Sequence, residues 1–290
     1  MSTKNLNTYT IFTNSGETIN RKQFLRNLGY TALSVIPVMF LPGCYFDMEY
    51  SPYMTNVDYE NLNASNLEKI AALESGREHN STYRIGLISD THHFYTETKK
   101  VIDIFNSRSD LDFVVIIGDT TNQGLLKEFN WGYDVIKKLK YPTINIIGNH
   151  DCLDYGIEIF EKMYGPLNFS FSFLGTEFIC FHNNNWESSE PDYGWLAQKA
   201  SASNAAHRVL FAHIDNSGYA FNRFSQSQVD TFNGIVSEYF DCAIHGHAHE
   251  NSKEELLNGV YRYQIGSPGY GHYMIVTFTN GNFEVERCSF

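Results

Sequence analysis

Seven residues of this chain pair a ligand-capable side chain with a place just beyond an apolar run: Asp90, His92, Asp119, Asn149, His213, His247 and His249. Carboxylate oxygens, an amide carbonyl and imidazole nitrogens are donors for divalent cations, and histidine also moves protons near neutral pH. The densest stretch is Ile144–Asp151, Ile-Asn-Ile-Ile-Gly-Asn-His-Asp, where the apolar run halts at a glycine and Asn149, His150 and Asp151 follow at once. Seven oxygen and nitrogen donors are too many for one tetrahedral zinc. They suit two cations that share a bridging carboxylate and lie about 3.5–4 Å apart, an arrangement that clamps a phosphoryl group and acidifies the attacking water. The set contains no thiolate, so manganese, iron and zinc all match its donors. Beyond Cys44 the cysteines Cys152, Cys180, Cys242 and Cys288 show no Cys-x-x-Cys spacing, which argues against a thiolate zinc site.

The elements that must position these donors follow a regular order. Arg84–Ser89 is a predicted strand ending in Asp90-Thr91-His92-His93, and Thr96–Asn106 has helical spacing. Phe113–Ile117 is a second buried strand, Leu125–Leu139 a helix, and a third strand runs into Gly148. Strand, helix, strand, helix, strand with short loops predicts right-handed βαβ crossovers, with the ligands gathered at the carboxyl edge of a parallel sheet. The second half predicts a hairpin, Asn168–Leu174 and Glu177–His182, then a short helix over Gly194–Ala200. A strand Arg208–Ala212 ends in His213, Ser225 caps a helix to Tyr239, and Cys242–Ile244 ends in His245-Gly246-His247-Ala248-His249. Val260–Ile265, then Met274–Thr279 and Phe283–Glu286 joined by Asn280-Gly281, close the chain, the last two as a tight hairpin. No repeat or linker interrupts the chain beyond residue 83, which predicts one domain with two sheet regions.

Asp90-x-His92, Gly118-Asp119-x4-Gly124, Gly148-Asn149-His150-Asp151, His213 and Gly246-His247-x-His249 together resemble the calcineurin-like metallophosphoesterase family, in the family's order and over residues 83–250. The resemblance implies an α/β fold of two facing mixed β-sheets flanked by helices, a four-layer α/β/β/α sandwich. It implies a binuclear centre with Asp90, His92, Asp119 and His249 on one ion, Asp119 as the bridge, and Asn149, His213 and His247 on the other. It makes His150 the group that stabilises the transition state or protonates the leaving oxygen. Asn122 and Gln123 stand where the protein serine/threonine phosphatases of this family carry an orienting carboxylate and an arginine. Asn122 also stands where purple acid phosphatases carry an iron-binding tyrosine. What remains resembles the small bacterial branch that includes phosphodiesterases. Metal-dependent hydrolysis of a phosphodiester or phosphomonoester is therefore the expected activity. The competing expectation is a catalytically inactive metal-binding or interaction protein on the same fold, from which lost ligands would be expected.

The remaining sequence bounds the setting. The 290-residue chain carries a formal net charge of −12 with only 19% charged residues, which argues against a nucleic-acid polymer as partner and leaves small-molecule or lipid phosphoesters open. Lys4, Arg21, Lys22 and Arg26 face only Glu17 in residues 1–44. There a basic patch precedes an apolar stretch, Leu28–Leu41, too short to span a membrane. Leu41-Pro42-Gly43-Cys44 resembles a lipoprotein lipobox, so residues 1–44 are expected to be a signal peptide ending at a lipidated Cys44, with residues 45–82 a polar tether that includes a possible helix at Leu62–Leu73 and 83–290 the catalytic domain. An exported, lipid-anchored bacterial protein of the periplasm or cell surface follows, touching membrane only through its anchor. His182 is a candidate substrate contact at a strand end. His93 and His245 are more readily hydrogen-bonding groups, Asn183–Asn185 a solvated turn, and Tyr219–Phe224 packing.

Overall fold

The computed structural model describes residues 11–12, 18–19, 51, 53–79, 81–185, 190–215, 224–279 and 282–290. Two compact units divide the chain, residues 1–51 and 52–290. In the first, β1 (Ile11–Phe12) pairs antiparallel with β2 (Thr18–Ile19). The segment around Cys44 expected to end a signal peptide, the Asn280-Gly281 pair expected to turn a hairpin and most of Tyr219–Phe224 lie outside the described residues.

In the second unit, β3 (Tyr83–Ile88), β4 (Phe113–Ile117) and β5 (Thr143–Ile146) run parallel and are linked by helices α2 (Tyr95–Ser107) and α3 (Leu126–Ile136). On the far side of β3, β12 (His272–Thr279) and β13 (Asn282–Ser289) add antiparallel strands, giving the order β13-β12-β3-β4-β5. The second sheet contains β6 (Phe169–Phe173), β7 (Thr176–Cys180), β8 (His207–Phe211), β9 (Cys242–His245), β10 (Ser252–Glu255) and β11 (Tyr261–Gln264), ordered β10-β11-β9-β8-β7-β6. Both sheets are mixed, as the family resemblance implied, and their parallel strands number seven, β3, β4 and β5 in the first and β7, β8, β9 and β11 in the second.

Period-two patterning explains how one strand serves two layers. Phe113, Val115 and Ile117 of β4 face the second sheet, where Phe171, Phe178, Phe211 and Ile244 meet them. Val114 and Ile116 face the other way, onto Val101, Ile102 and Phe105 of α2. The second sheet repeats this with α5 (Tyr193–Ala202) and α6 (Gln226–Tyr239), whose Leu196, Phe232 and Val236 cover Leu210 and Ala243. Helix, sheet, sheet, helix is the resulting order of layers. Phe178 sits at the centre, with its ring stacked 5.6 Å from Phe211 and edge-on to Phe113 at 5.8 Å.

Three features depart from the sequence expectation. The stretch assigned to a tether contains α1 (Leu62–Glu74), which is docked on the first sheet. Ile70 enters the inter-sheet core, Asn63 exchanges two hydrogen bonds with the Asn145 backbone at 2.8 Å each, and Asn66 donates to Thr143 O. These amides occupy the open hydrogen-bonding edge of β5, so the folded body begins before residue 83. Helix α4 (Gly156–Met163) follows the Asn149 loop and packs Ile159, Phe160 and Met163 on Phe129. Strand β10 is exposed along its whole length and carries no alternation, so hydrophobic period could not reveal it. Ser225 does cap α6, in a reciprocal pair with Gln228.

Candidate metal centre

Three of the five strand ends that carry ligand candidates, those of β3, β4 and β9, turn sharply. Asp90 (φ 54°), His92 (39°), Asp119 (53°), His247 (76°) and His249 (61°) all take left-handed backbone conformations. Such conformations cost on the order of 1–3 kcal/mol apiece and persist only where the surroundings enforce them. Here cross-loop hydrogen bonds do so. Asp90 N donates to Gly118 O (3.1 Å), His92 N to Asp119 O (3.0 Å) and Gly246 N to His213 O (2.9 Å). The Asp90 carboxylate accepts the His247 N–H at 2.9 Å, and Ser267 Oγ donates to Asp90 O at 2.7 Å. Two glycines permit the approach. A Cβ on Gly148 would lie 2.2 Å from Asp119 Oδ1, and one on Gly246 would lie 1.8 Å from Ser89 Oγ.

The seven candidates converge from both sheets. Asp90, His92 and His249 form one group, and Asp119, His213 and His247 a second, the ligand atoms of each lying within 4.8 Å of one another. His249 Nε2 is 3.2 Å from Asp90 Oδ1 and 3.3 Å from His92 Nε2. Asp119 Oδ2 lies 3.1 Å from His213 Nε2 and 3.6 Å from His92 Nε2, so this carboxylate reaches both groups. Asn149 joins the second group through its Oδ1, 2.8 Å from His247 Nδ1. His150 turns its ring edge-on to His92 with centroids 4.7 Å apart, and its backbone N–H donates to Asp119 Oδ1 at 2.8 Å. His150 also completes a third ligand-capable group with His92 and Asp119.

The donor set fits cations by its own hydrogen bonding. The Nδ1 atoms of His92, His213 and His150 each face a backbone carbonyl, Thr121 O, Ile117 O and Asn122 O, at 2.9, 2.7 and 2.8 Å. A carbonyl accepts only, so each Nδ1 carries the proton and each Nε2 turns a lone pair inward. The His213 Nε2 is buried without a hydrogen bond and confronts a carboxylate oxygen. Lone pair against lone pair is stable only with a positive charge between them. Without metal a proton must serve: burial alone would lower the His213 pKa, but the Asp119 and Asp90 charges outweigh it and push it up to about 10. Burial likewise opposes ionisation of Asp90 and Asp119, yet His213 holds both carboxyls below the usual range. Burial lowers His92 and His247, while the Asp90 hydrogen bond raises His249.

Several supporting residues lie beyond the motif ligands. Asp151 is fully buried and accepts from the backbone N–H groups of Thr120, Thr121 and Gly148 at 3.3, 2.8 and 3.0 Å, and from Thr121 Oγ1 at 2.9 Å. It thereby ties the loop after β4 to the loop after β5. Burial and the Asp119 charge push its pKa up to about 6, against those donors. Asn183 differs from the solvated turn expected for it: it is buried, its amide donates to Ile214 O, and it accepts from Ile214 N at 3.1 Å. It braces the segment that carries His213. His182 is buried at the end of β7, where its backbone N–H donates to Asn168 Oδ1, and it joins none of the three ligand groups found among the described residues. His245 bonds Ala212 O at 2.7 Å and His93 is exposed. Spacing in the sequence does not signal the bonds of Asp151 to Thr120 and Thr121, of Asn183 to Ile214 or of Ser267 to Asp90, because those partners are distant along the chain.

Comparisons with known proteins place this geometry. The chain shares its fold with a dimetal phosphatase from Danio rerio (TM-score 0.59, 10% identity, covering 71% of this chain and 96% of the other). It also aligns with a purple acid phosphatase from yellow lupin, Lupinus luteus, seeds (TM-score 0.58, 14% identity, 72% of this chain), spanning about half of that protein's length, 52%. A third structure of the same fold is the anchor in the inner membrane complex of Plasmodium (TM-score 0.55, 12% identity, 72% and 84% covered). No curated protein shows significant sequence similarity to the chain. The sequence profile of the calcineurin-like phosphoesterases matches residues 83–251, more than half of the chain and every strand end that carries a ligand candidate, and the chain belongs to that family.

Proposed function

We propose that the protein hydrolyses phosphoester bonds with a binuclear metal centre, on small-molecule or lipid phosphodiesters or phosphomonoesters. The supporting observation is the reach of Asp119 into both ligand groups, in a buried cluster whose inward lone pairs need positive charge. In this reading Asp90, His92, Asp119 and His249 hold one ion, and Asp119, Asn149, His213 and His247 the other. Bound there, manganese, iron or zinc would polarise the phosphoryl oxygens and acidify the attacking water. The chain supplies the rest. The carboxylates and the paired loops hold the donors in place before substrate arrives, and the buried surroundings strengthen their field. His150 presents Nε2 beside the cluster while the Asn122 carbonyl fixes Nδ1–H, so the ring, once it also carries a proton on Nε2 as imidazolium, can hand that proton to the leaving oxygen and return to the Nδ1–H form. The expected test is turnover of bis-p-nitrophenyl phosphate and p-nitrophenyl phosphate by manganese-loaded protein. Two bound ions with neither ester hydrolysed would overturn this function in favour of a non-catalytic metal-binding or interaction role.

The same proposal places the chain in the small bacterial branch of the family and on a membrane, held by a lipid on Cys44. No helix among the described residues is long and apolar enough to cross a membrane. The Cys44→Ser variant should move from the membrane to the soluble fraction with its ester hydrolysis intact. Unchanged membrane fractionation of that variant would rule out the lipid anchor.

A further inference from the structure

Beside the His249 side of the cluster, Tyr270 is 64% exposed, although it ends a rigid turn. The turn, Pro268–Tyr270, is fixed at several points. Ser267 Oγ accepts from Gly269 N at 3.1 Å while donating to the Asp90 carbonyl, and Tyr270 N donates to Ser267 O at 3.0 Å. Gly271 N donates to Pro268 O at 2.8 Å, and Phe290 N to Gly271 O at 3.0 Å. Phe94 lies flat on Gly269, where a Cβ would come within 2.6 Å of its ring. One serine thus anchors both a ligand candidate and the turn that presents Tyr270.

The Tyr270 ring stands 6.0 Å from the His249 ring and 6.3 Å from Phe94, which in turn lies tilted against His93 at 4.5 Å. His247, Ala248, His249, Glu250 and Tyr270 line an opening of about 350 Å³ there. Exposed aromatic rings also occur at Tyr53, Trp131 and Tyr155, but Tyr270 combines exposure with a fixed turn and a ring contact to a ligand candidate. A phosphoryl group placed over Asp119 and His150 must send its organic substituent outward. On this side the substituent meets an aromatic face. Glu250 adds negative charge to the same wall, which disfavours a second phosphate and leaves an uncharged or cationic ring as the matching group.

We propose that Tyr270, backed by Phe94, is a specificity-determining residue that stacks on a flat aromatic substituent, an aryl ring or a nucleobase, of the phosphoester. This rests on the phosphoester reading of the metal centre. The test is calorimetric binding of phenylphosphonate and methylphosphonate to the manganese-loaded full chain, with Tyr270→Ala and Tyr270→Trp. The wild type should prefer the phenyl compound by roughly 2- to 12-fold, the strength of one aromatic pair. Tyr270→Ala should abolish that preference, with methylphosphonate affinity changed little, and Tyr270→Trp should keep it. A wild type without preference, a preference that survives in Tyr270→Ala, or equal weakening of both ligands would overturn the assignment. Failure of either phosphonate to bind would overturn it together with the phosphoester reading. A phenyl preference lost in Tyr270→Ala, in a protein that turns over no ester, would retain the stacking site and overturn hydrolysis alone.

Discussion

At the scale of single residues, Asp119 and His249 differ in how much each holds. Asp119 Oδ2 faces His213 and His92 from the two ligand groups, whereas His249 contacts only the first. Asp119→Asn should therefore lose both ions and His249→Ala mainly one, as counted by metal analysis after dialysis. Two ions kept by Asp119→Asn would contradict a bridging role. His150 separates binding from chemistry. His150→Ala should retain both ions and lose roughly 10²–10⁴-fold in rate, the usual range for a positioned general acid. The loss should be smaller on an aryl ester, whose leaving group needs little protonation, than on an alkyl ester. Equal losses would indicate charge stabilisation, and loss of metal a structural role. The carbonyl of Asn122 does here what a carboxylate does in other branches, so the uncharged side chain at that position does not leave the ring unoriented.

At the scale of elements, α1 decides where the folded body starts. β5 is an edge of its sheet, and unpaired strand edges invite pairing with other chains. Asn63 and Asn66 satisfy that edge with side-chain amides. Removing Asn63 leaves a buried carbonyl and a buried N–H of Asn145 without partners, at about 1–3 kcal/mol each. Asn63→Ala should lower the denaturation free energy by several kcal/mol in urea unfolding, while substitution of the exposed Leu73 on the same helix should change it little. An Asn63→Ala midpoint equal to wild type would show that α1 is a loosely held tether after all. The helix was visible in the sequence as a short apolar-spaced run. Its docking was not, since it depends on two asparagines meeting a strand some eighty residues away.

At the scale of the whole molecule, buried histidines govern the acid limit. Burial pushes His182 and His245 down to about 4, from an ordinary value near 6.5. For a histidine depressed on folding, the unfolded chain binds the extra proton between those values. Stability is then intact above pH 6.5 and falls as pH drops toward 4, by about 3 kcal/mol per residue at the limit. Denaturation midpoints of the metal-free protein in EDTA should follow that slope. His182→Gln should remove its share of that slope, leaving the shares of His245, His92 and His247 and the opposing one of Asp151. An unchanged slope in that variant would show that His182 does not titrate on unfolding.

Residue type and order along the chain determined much by themselves. Apolar runs of period two or continuous burial, each ended by a polar ligand and three of them by a glycine just before it, define strand ends, and the βαβ crossover puts parallel strand ends on one edge. The two sheet regions and the set of candidate donors follow from that local pattern, and the family and its facing sheets were implied by the resemblance of the ordered motifs. Tertiary structure alone decided which donors share a space, which ring nitrogen faces inward, and what holds the left-handed turns. It also decided that Asp151, Asn183 and Ser267 are braces, that α1 belongs to the body, and that Tyr270 stands open beside His249. Those facts arise from contacts between segments tens to well over a hundred residues apart, with Ser267 bonded to Asp90 as the longest of them. Periodicity reports the face a residue turns to its own element, and carries no information about the partner that face will meet.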